Sequence, residues 1–151
     1  MPKTISRDLP LSEFTFRRYE KPYDMSRRDL IRKLCLSTGL LQPGDSRDVV
    51  VDVLHALLDA KVKKLMMNSE QVKDEVINLR KKNKLNLKGV AGSNIRRQLK
   101  RLRDLLIAEK IKNEYRITEF EDLHVLFDSK IEEYLIKSVV SRVKEYFKAV
   151  K

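Results

Sequence analysis

The sequence predicts a mainly α-helical protein that carries a small β-hairpin, and three patterns support this fold class. Apolar residues recur every three or four positions through much of residues 26–107, which is the spacing of helices with one buried face. Residues 108–118 instead alternate apolar and polar side chains around a short turn, as hairpins do. Helical spacing returns after residue 118. We therefore expect helices on both sides of one hairpin.

The length and charge of the chain indicate one globular domain with a strongly basic region. The chain has 151 residues, of which 42% are hydrophobic, and this is enough to form a core. Residues 61–116 hold 17 Lys and Arg against 6 Asp and Glu, which accounts for the whole net charge of +11. A positive charge concentrated in one region is typical of a protein that binds a polyanion.

Membrane and secreted proteins are not expected classes. No run of about 18 apolar residues is present, so we expect no membrane span. Pro2, Lys3, Arg7 and Asp8 interrupt the N-terminus, which therefore lacks the apolar core of a signal peptide. Cys35 is the single cysteine, and we expect it to be buried in a protein of a reducing compartment. The expected location is the cytoplasm, in association with the nucleoid.

The residues that enzymes and metal sites require are scarce. The chain has 4 Gly and 2 His, and it lacks a phosphate-binding Gly-rich loop, paired metal ligands and a Ser-His-Asp set. His55 and His124 have no further ligand at suitable spacing, so we expect both to be packed or exposed. The sequence therefore predicts no enzyme, no cofactor, no metal and no small-molecule ligand.

Capping signals place the first three helices. Ser26 begins the first helix, with Asp29 as its capping partner, and Gly39 ends it. Asp45 or Ser46 is expected to cap a long buried helix over about 47–66. Asn68 or Ser69 begins the third helix, over 69–82, and Gln71 can complete a capping box there. Its last turn is rich in cations, among them Arg80, which suit the negative end of the helix dipole.

A fourth helix, over 93–107, has the most informative pattern. In the linker before it, Leu85 and Leu87 are expected to turn inward, and Gly89 and Gly92 allow a tight turn. The apolar stripe of the helix consists of Ile95, Leu99, Leu102 and Leu106. The opposite face carries Arg97, Lys100, Arg101 and Asp104. We expect Arg97, Lys100 and Arg101 to point outward together. A hairpin should follow, with its turn at Asn113-Glu114 and with Ile111, Tyr115 and Ile117 on one face.

This succession of elements resembles the winged helix-turn-helix superfamily of DNA-binding proteins. The resemblance covers residues 46–118, and residues 106–118 are similar in pattern to archaeal and bacterial regulators of that group. The linker over 85–92 departs from the pattern, because it is longer than the turn of a simple helix-turn-helix. Together with the patterns at the two ends of the chain, this predicts a basic, aromatic arm over 1–25, a DNA-binding domain over 26–118 that includes an N-terminal helix and the 46–118 core, and a C-terminal helical dimerisation region over 119–151.

In that superfamily the third core helix enters the major groove and the hairpin, or wing, follows the phosphates. The DNA-binding residues that the resemblance implies for helix 93–107 are Ser93, Asn94, Arg96, Arg97, Gln98, Lys100, Arg101 and Asp104. Arginine can grip guanine, Asn or Gln can pair with adenine, and Ser93 can take a phosphate at the helix N-terminus. Phosphate contacts are implied for Lys110, Lys112 and Arg116 of the wing and for the flanking Lys81, Lys82, Lys84 and Lys88.

The two ends of the chain leave alternatives open. The arm either packs its aromatic residues on the body, which we favour, or lies along DNA. Thr118 and Glu121 match a capping box at the start of the C-terminal region, and Asp128-Ser129 can divide that region into two helices. Its apolar stripe consists of Phe120, Leu123, Phe127, Ile131, Tyr134, Leu135, Val139, Val143, Tyr146, Phe147 and Val150. This stripe either forms a dimer contact, which we favour, or folds back on the core.

Two functions follow from these expectations. The first is a homodimeric protein that binds double-stranded DNA, most simply a transcriptional regulator. The second is a winged-helix adaptor that binds other proteins in a replication, segregation or transcription complex. A DNA binder should lose affinity steeply as the salt concentration rises, whereas an adaptor should bind duplex weakly.

Overall fold

The structure is a computed structural model that describes residues 7–151. Its first part comprises helices α1 (Arg27–Ser37), α2 (Val49–Val62), α3 (Ser69–Lys82) and α4 (Gly92–Asp104), with strands β1 (Met67–Asn68), β2 (Ala108–Ile111) and β3 (Glu114–Ile117). A short 3-10 turn, Thr118–Phe120, leads to α5 (Leu123–Leu126), a π-helical segment (Phe127–Ile136) and α6 (Lys137–Ala149). The expected class, mainly helical with a small hairpin, is confirmed.

Helix α2 lies at the centre of the core, and α1, α3 and α4 pack around it. Every residue of α2 from Val49 to Leu57 is buried, because its sequence is apolar on nearly all sides. The helix is shorter than the predicted 47–66. Asp48 is its N-cap, whereas the predicted cap Asp45 accepts a hydrogen bond from the Arg47 backbone N at 2.9 Å. Its C-terminal end is followed by Lys64, whose φ of +53° is incompatible with a helix.

The other predicted helix signals of this region are largely confirmed. Helix α3 has the predicted bounds, and Asn68 and Gln71 form the reciprocal capping box, with both bonds at 2.8 Å. Ser26 caps α1 by accepting a hydrogen bond from the Asp29 backbone N, and Gly39 follows α1 with a φ of +76°. Cys35 is fully buried as predicted, and burial raises the pKa of its thiol to about 12.

The small sheet contains three antiparallel strands in the order β1-β3-β2. The predicted turn is wrong by one residue. Lys112 and Asn113 have φ values of +48° and +66°, so they are the central residues of a hairpin turn in which both φ angles are positive. This register places Ile111 opposite Glu114, so Ile111 is 41% exposed while Tyr115 and Ile117 are buried. Strand β1 was not predicted, because two residues are too few to show alternation.

The C-terminal region differs from its prediction at two points. The capping box at Thr118 is wrong, because Thr118 is buried and its hydroxyl donates to the Leu106 carbonyl at 2.9 Å. The division at Asp128-Ser129 is also wrong, because helical structure runs from Leu123 to Ala149 without a break. Leu126 and Ile131 are buried against the core, so the first half of this region folds back on its own domain. No residue of α6 is buried.

Residues 7–25 pack on the body through some of their side chains. Phe14 and Tyr19 lie against the core, and Phe16 meets Phe127 edge-on with 6.5 Å between the ring centres, whereas Tyr23 is 61% exposed, so the favoured interpretation of the aromatic residues is confirmed only in part. Arg17 is held by its backbone N, which donates to the Ser37 carbonyl, and by its guanidinium, which donates to the Leu36 carbonyl, both at 2.9 Å. The rest of the predicted arm, residues 1–6, lies outside the described residues.

Candidate nucleic-acid interface

The inner face of α4 is anchored in the core. Ile95, Leu99 and Leu102 are all fully buried, which fixes the opposite face of the helix toward solvent. The helix has 13 residues and is shorter than the predicted 93–107. It starts at Gly92 and ends at Asp104, because Leu106 adopts a φ of +61° and turns the chain into β2. The predicted buried stripe is thus confirmed for its first three members, while Leu106 lies beyond the helix.

Several of the predicted DNA-binding residues of α4 are exposed. They are Ser93, Arg96, Arg97, Lys100 and Asp104. Among residues 7–151, no carboxylate forms an ion pair with Arg96 or Arg97. Lys100 Nζ lies 3.0 Å from Asp104 Oδ2, and both side chains are more than 60% exposed. A surface pair of this kind contributes little stability, so a phosphate can compete for the lysine.

Arg103 is an exposed cation on α4 that the sequence analysis did not select. It lies three residues after Lys100 and seven after Arg96, which places all three on adjacent turns of one side of the helix. Its position on the helical wheel was a signal, but Arg103 lies on the flank of the helix and not directly opposite the apolar stripe. Arg103 therefore widens the cationic surface toward the flank that carries Arg96.

The other flank of α4 is occupied by a chain of internal hydrogen bonds. Asn94 Nδ2 donates to the Gly89 carbonyl at 2.7 Å, and Gln98 Nε2 donates to Asn94 Oδ1 at 3.0 Å. Arg101 donates to Gln98 Oε1 at 2.9 Å and to the Gly39 carbonyl at 3.2 Å. The expectation that Arg101 points outward with Arg97 and Lys100 is therefore wrong, because Arg101 is half-buried against the α1–α2 connection. The side-chain amides of Asn94 and Gln98, which could recognise a base, are thus hydrogen-bonded within the protein.

The hairpin presents fewer free cations than expected. Lys110 and Lys112 are exposed, and Lys112 lies in the turn. Arg116 is half-buried, with its Nε 2.7 Å from Glu109 Oε2 and its guanidinium stacked 4.7 Å from the centre of the Phe120 ring. Arg116 is thus not a free cation on the wing surface, because it fastens β3 to β2 and to the turn that follows.

The flanking lysines lie where the sequence analysis expected them. Lys81 and Lys82 end α3, and Lys84 and Lys88 lie in the linker to α4; all four are exposed. None of them forms an ion pair within residues 7–151. In the same linker, Leu87 is 42% exposed, so the expectation that it turns inward is wrong. Gly89 has a φ of +84° as the tight turn requires, whereas Gly92 has joined the helix.

Arg28, Asp48, Asp52 and Arg80 form a buried ion cluster next to the linker that leads to α4. This cluster was not predicted from the sequence. Arg80 is 1% exposed, and its Nη1 lies 2.7 Å from Asp52 and 3.0 Å from Asp48. Arg28 of α1 reaches the same two carboxylates at 3.1 to 3.2 Å. Arg80 Nε also donates to the Asn86 carbonyl at 2.6 Å, which ties the linker before α4 to α3. The cluster thus joins α1, α2, α3 and the approach to α4.

The burial of Arg80 contradicts its expected place among the exposed cations that end α3. A signal was present, because Val72, Val76 and residue 80 follow one another at intervals of four along the buried stripe. Asp52 is likewise the carboxylate within the buried stretch of α2 from Val49 to Leu57. A buried arginine requires an acidic partner, and a buried aspartate requires a basic one.

The cluster should make the fold sensitive to acid. Burial acts to raise the pKa of Asp48, but hydrogen bonds from Arg80 and Arg28 outweigh it and bring the pKa below its ordinary value of 3.8. A carboxyl of this kind contributes stability above its unfolded-state pKa and loses it as the pH falls through its folded-state pKa. Burial also lowers the pKa of His55 from 6.5, so His55 adds acid destabilisation that begins below that pH.

We therefore expect the free energy of unfolding to fall continuously from pH 7 to pH 3. Asp48→Asn should be less stable at pH 7 and should show a shallower pH dependence below about pH 4, near the ordinary aspartate pKa. Urea unfolding of both proteins at intervals of pH measures this. Parallel curves below pH 4 would show that Asp48 does not contribute to the acid response.

The structure offers no metal site and no membrane span within the residues it describes. Among residues 7–151, no three His, Cys, Asp or Glu side chains are placed to hold a metal ion. In the same part of the chain, every helix is too short or too polar to cross a bilayer. Comparisons of the chain with protein-family models, with curated proteins and with solved structures gave no match.

Proposed function

We propose that this protein binds double-stranded DNA with α4 in the major groove and with the β2–β3 hairpin as a wing. The observation that carries the proposal is the exposed cationic face of α4 on a helix whose other face is fixed in the core. Arg96, Arg97, Lys100 and Arg103 are all exposed, while Ile95, Leu99 and Leu102 are fully buried. At about 1.5 Å per residue the helix is about 20 Å long, and a helix of ordinary width fits the major groove.

The order of the elements supports a winged helix-turn-helix as the underlying fold. Helices α2, α3 and α4 precede the hairpin, as the three helices and wing of that fold require. Strand β1 pairs with β3, with Met67 opposite Tyr115, so the hairpin is attached to the start of α3. The linker between α3 and α4 remains longer than a simple helix-turn-helix turn.

Duplex binding itself is tested by selection from a random pool of duplexes, followed by titration at several salt concentrations. The proposal predicts selected sequences and an affinity whose logarithm falls linearly with the logarithm of salt concentration, by about 0.9 for each phosphate contact. A protein that selects no sequence and binds duplex weakly at every salt concentration would instead favour the adaptor function.

The exposed face of α6 favours a protein contact, and we propose that it pairs with a second copy of this chain. Val143, Tyr146 and Phe147 follow one another at helical spacing on α6, and together with Val150, directly after the helix, they are between 48% and 79% exposed. A contiguous apolar surface of this kind is typical of an interaction site. A two-fold dimer would then contact two DNA half-sites about one helical turn apart. An adaptor would use the same exposed apolar face to bind a different protein, so this face also supports the adaptor as a second candidate function.

Phe147→Asp is expected to abolish the dimer. Because α6 contributes no buried residue, the variant should keep the thermal stability of the monomer fold. Residues 137–151 hold five Lys and Arg against one Glu, so the dimer should also tighten as salt screens their repulsion. Sedimentation equilibrium of both proteins at low and high salt measures this. A wild-type protein that stays monomeric at all concentrations would contradict the dimer.

A further inference from the structure

A groove of about 600 Å³ lies beside α4, and part of its wall does not belong to the proposed DNA-reading elements. One wall is the side of α4 that carries Ser93, Arg97 and Arg101. The opposite wall is the loop between α1 and α2, including Gln42, Asp45 and Arg47. The groove therefore lies between the loop that follows α1 and the helix that we propose to enter DNA.

Arginines approach the groove from both walls. Arg47 and Arg97 are exposed, and within residues 7–151 neither forms an ion pair. Arg101 is half-buried, and two of its N–H groups are committed to Gln98 and to the Gly39 carbonyl, out of the five that a guanidinium carries. Asp45 supplies the opposing charge, but one of its oxygens already accepts the Arg47 backbone N–H. Three cations and one carboxylate give the groove a net positive charge.

The loop wall is held in place before any ligand arrives. Leu40 and Leu41 are buried, and the Leu41 backbone N donates to the Cys35 carbonyl at 3.0 Å. Arg17 donates to the Leu36 carbonyl at 2.9 Å and to Gln42 Oε1 at 2.7 Å. The hydrogen bond that the Arg47 backbone N donates to Asp45 Oδ1 at 2.9 Å fixes the end of the loop at the start of α2. A prearranged wall loses little conformational entropy when it binds a ligand.

We propose that this groove binds a phosphate group, with Arg47 of the loop acting together with Arg97 and Arg101 of α4. Arginine is suited to this role because its planar guanidinium donates two parallel hydrogen bonds to a phosphate. The phosphate is a phosphodiester of the strand beside α4 if the protein binds DNA as proposed, and in that form the inference rests on the proposed function. The same chemistry would accept free inorganic phosphate.

The test compares Arg47→Ala with the matched variant Arg18→Ala. Arg18 is exposed and does not line the groove, so both variants lose one exposed guanidinium. Duplex affinity is measured against salt concentration for both variants and the wild-type protein. Arg47→Ala should weaken binding several-fold for every duplex sequence and should reduce the salt slope by about 1, as expected for a phosphate contact. Arg18→Ala should leave both quantities unchanged.

A second arm titrates inorganic phosphate into the wild-type protein and into Arg47→Ala, and it follows the backbone amides of residues 45–47 and 93–101 by NMR.

The outcomes of the two arms distinguish the groove proposal from the proposed function. If the wild-type protein binds duplex but Arg47→Ala behaves as wild type does, the groove proposal is overturned while the proposed function stands. If the wild-type protein fails to bind duplex, the proposed function fails. Saturable phosphate binding that Arg47→Ala removes would then establish the groove as a site for free phosphate, and its absence would overturn the groove proposal too. Arg47→Lys, which keeps the charge, controls for folding.

Discussion

Replacing Arg97 and Lys100 together with alanine is expected to produce the largest loss of duplex binding of any two-residue change in this protein. Both side chains are exposed on α4 and leave the buried stripe of that helix untouched. A side chain that contacts a base contributes about 1–3 kcal/mol of discrimination, so the loss per contact is roughly fivefold to 150-fold. Stability should change little, because exposed substitutions away from special features shift it by about 0.5 kcal/mol or less.

The matched control for this variant is Lys144→Ala with Lys148→Ala. These two lysines are exposed on α6 and, within residues 7–151, form no ion pair, so the control removes the same charge from a different surface. Fluorescence anisotropy with one selected duplex compares the three proteins at a fixed salt concentration. Equal affinity losses in the two variants would show that net charge alone sets binding, and that α4 has no special role.

Replacing Arg80 with alanine is expected to cause the largest loss of stability of any cation-to-alanine change. The substitution leaves Asp52, which is fully buried, with Arg28 as its remaining partner, and it also removes the hydrogen bond to the Asn86 carbonyl. Breaking a buried ion pair by removing one partner costs about 3–5 kcal/mol, since it leaves a charge that water cannot reach. Chemical denaturation with urea measures the difference.

Lys81→Ala is the control for Arg80→Ala, because Lys81 is the next residue of α3 and is exposed without an ion pair among the described residues. Its loss should change the free energy of unfolding by about 0.5 kcal/mol or less. If Arg80→Ala were equally mild, the cluster would contribute little to the fold, and the account of how the linker to α4 is held would be wrong.

Local signals predicted the parts of the fold that depend on neighbouring residues. The capping box of Asn68 and Gln71 is complete within four residues, so α3 was placed with its correct bounds. The buried stripe through Ile95, Leu99 and Leu102 depends only on helical spacing, and the cationic face opposite it follows from the same geometry. The proposed function depends on the buried stripe and on the cationic face of α4.

Contacts distant in sequence explain what could not be predicted. Arg101 turns toward the Gly39 carbonyl, 62 residues earlier, and Arg80 pairs with Asp52, 28 residues earlier. Neither direction can be obtained from a helical wheel that treats each helix by itself. Arg47 was not predicted as a binding residue for the same reason. It lies outside the basic region over 61–116, and it lines a common groove with α4 only in the folded protein.

Whether α4 contacts DNA can be measured directly by an NMR titration of the full chain with a selected duplex. The largest amide shifts should fall on the exposed face of α4, at Arg96, Arg97 and Lys100, with smaller shifts at the hairpin turn around Lys112. The polar side of α6, at Lys144, should not shift. Shifts that spare α4 while the duplex is bound would contradict the assignment of this helix as the element that contacts DNA.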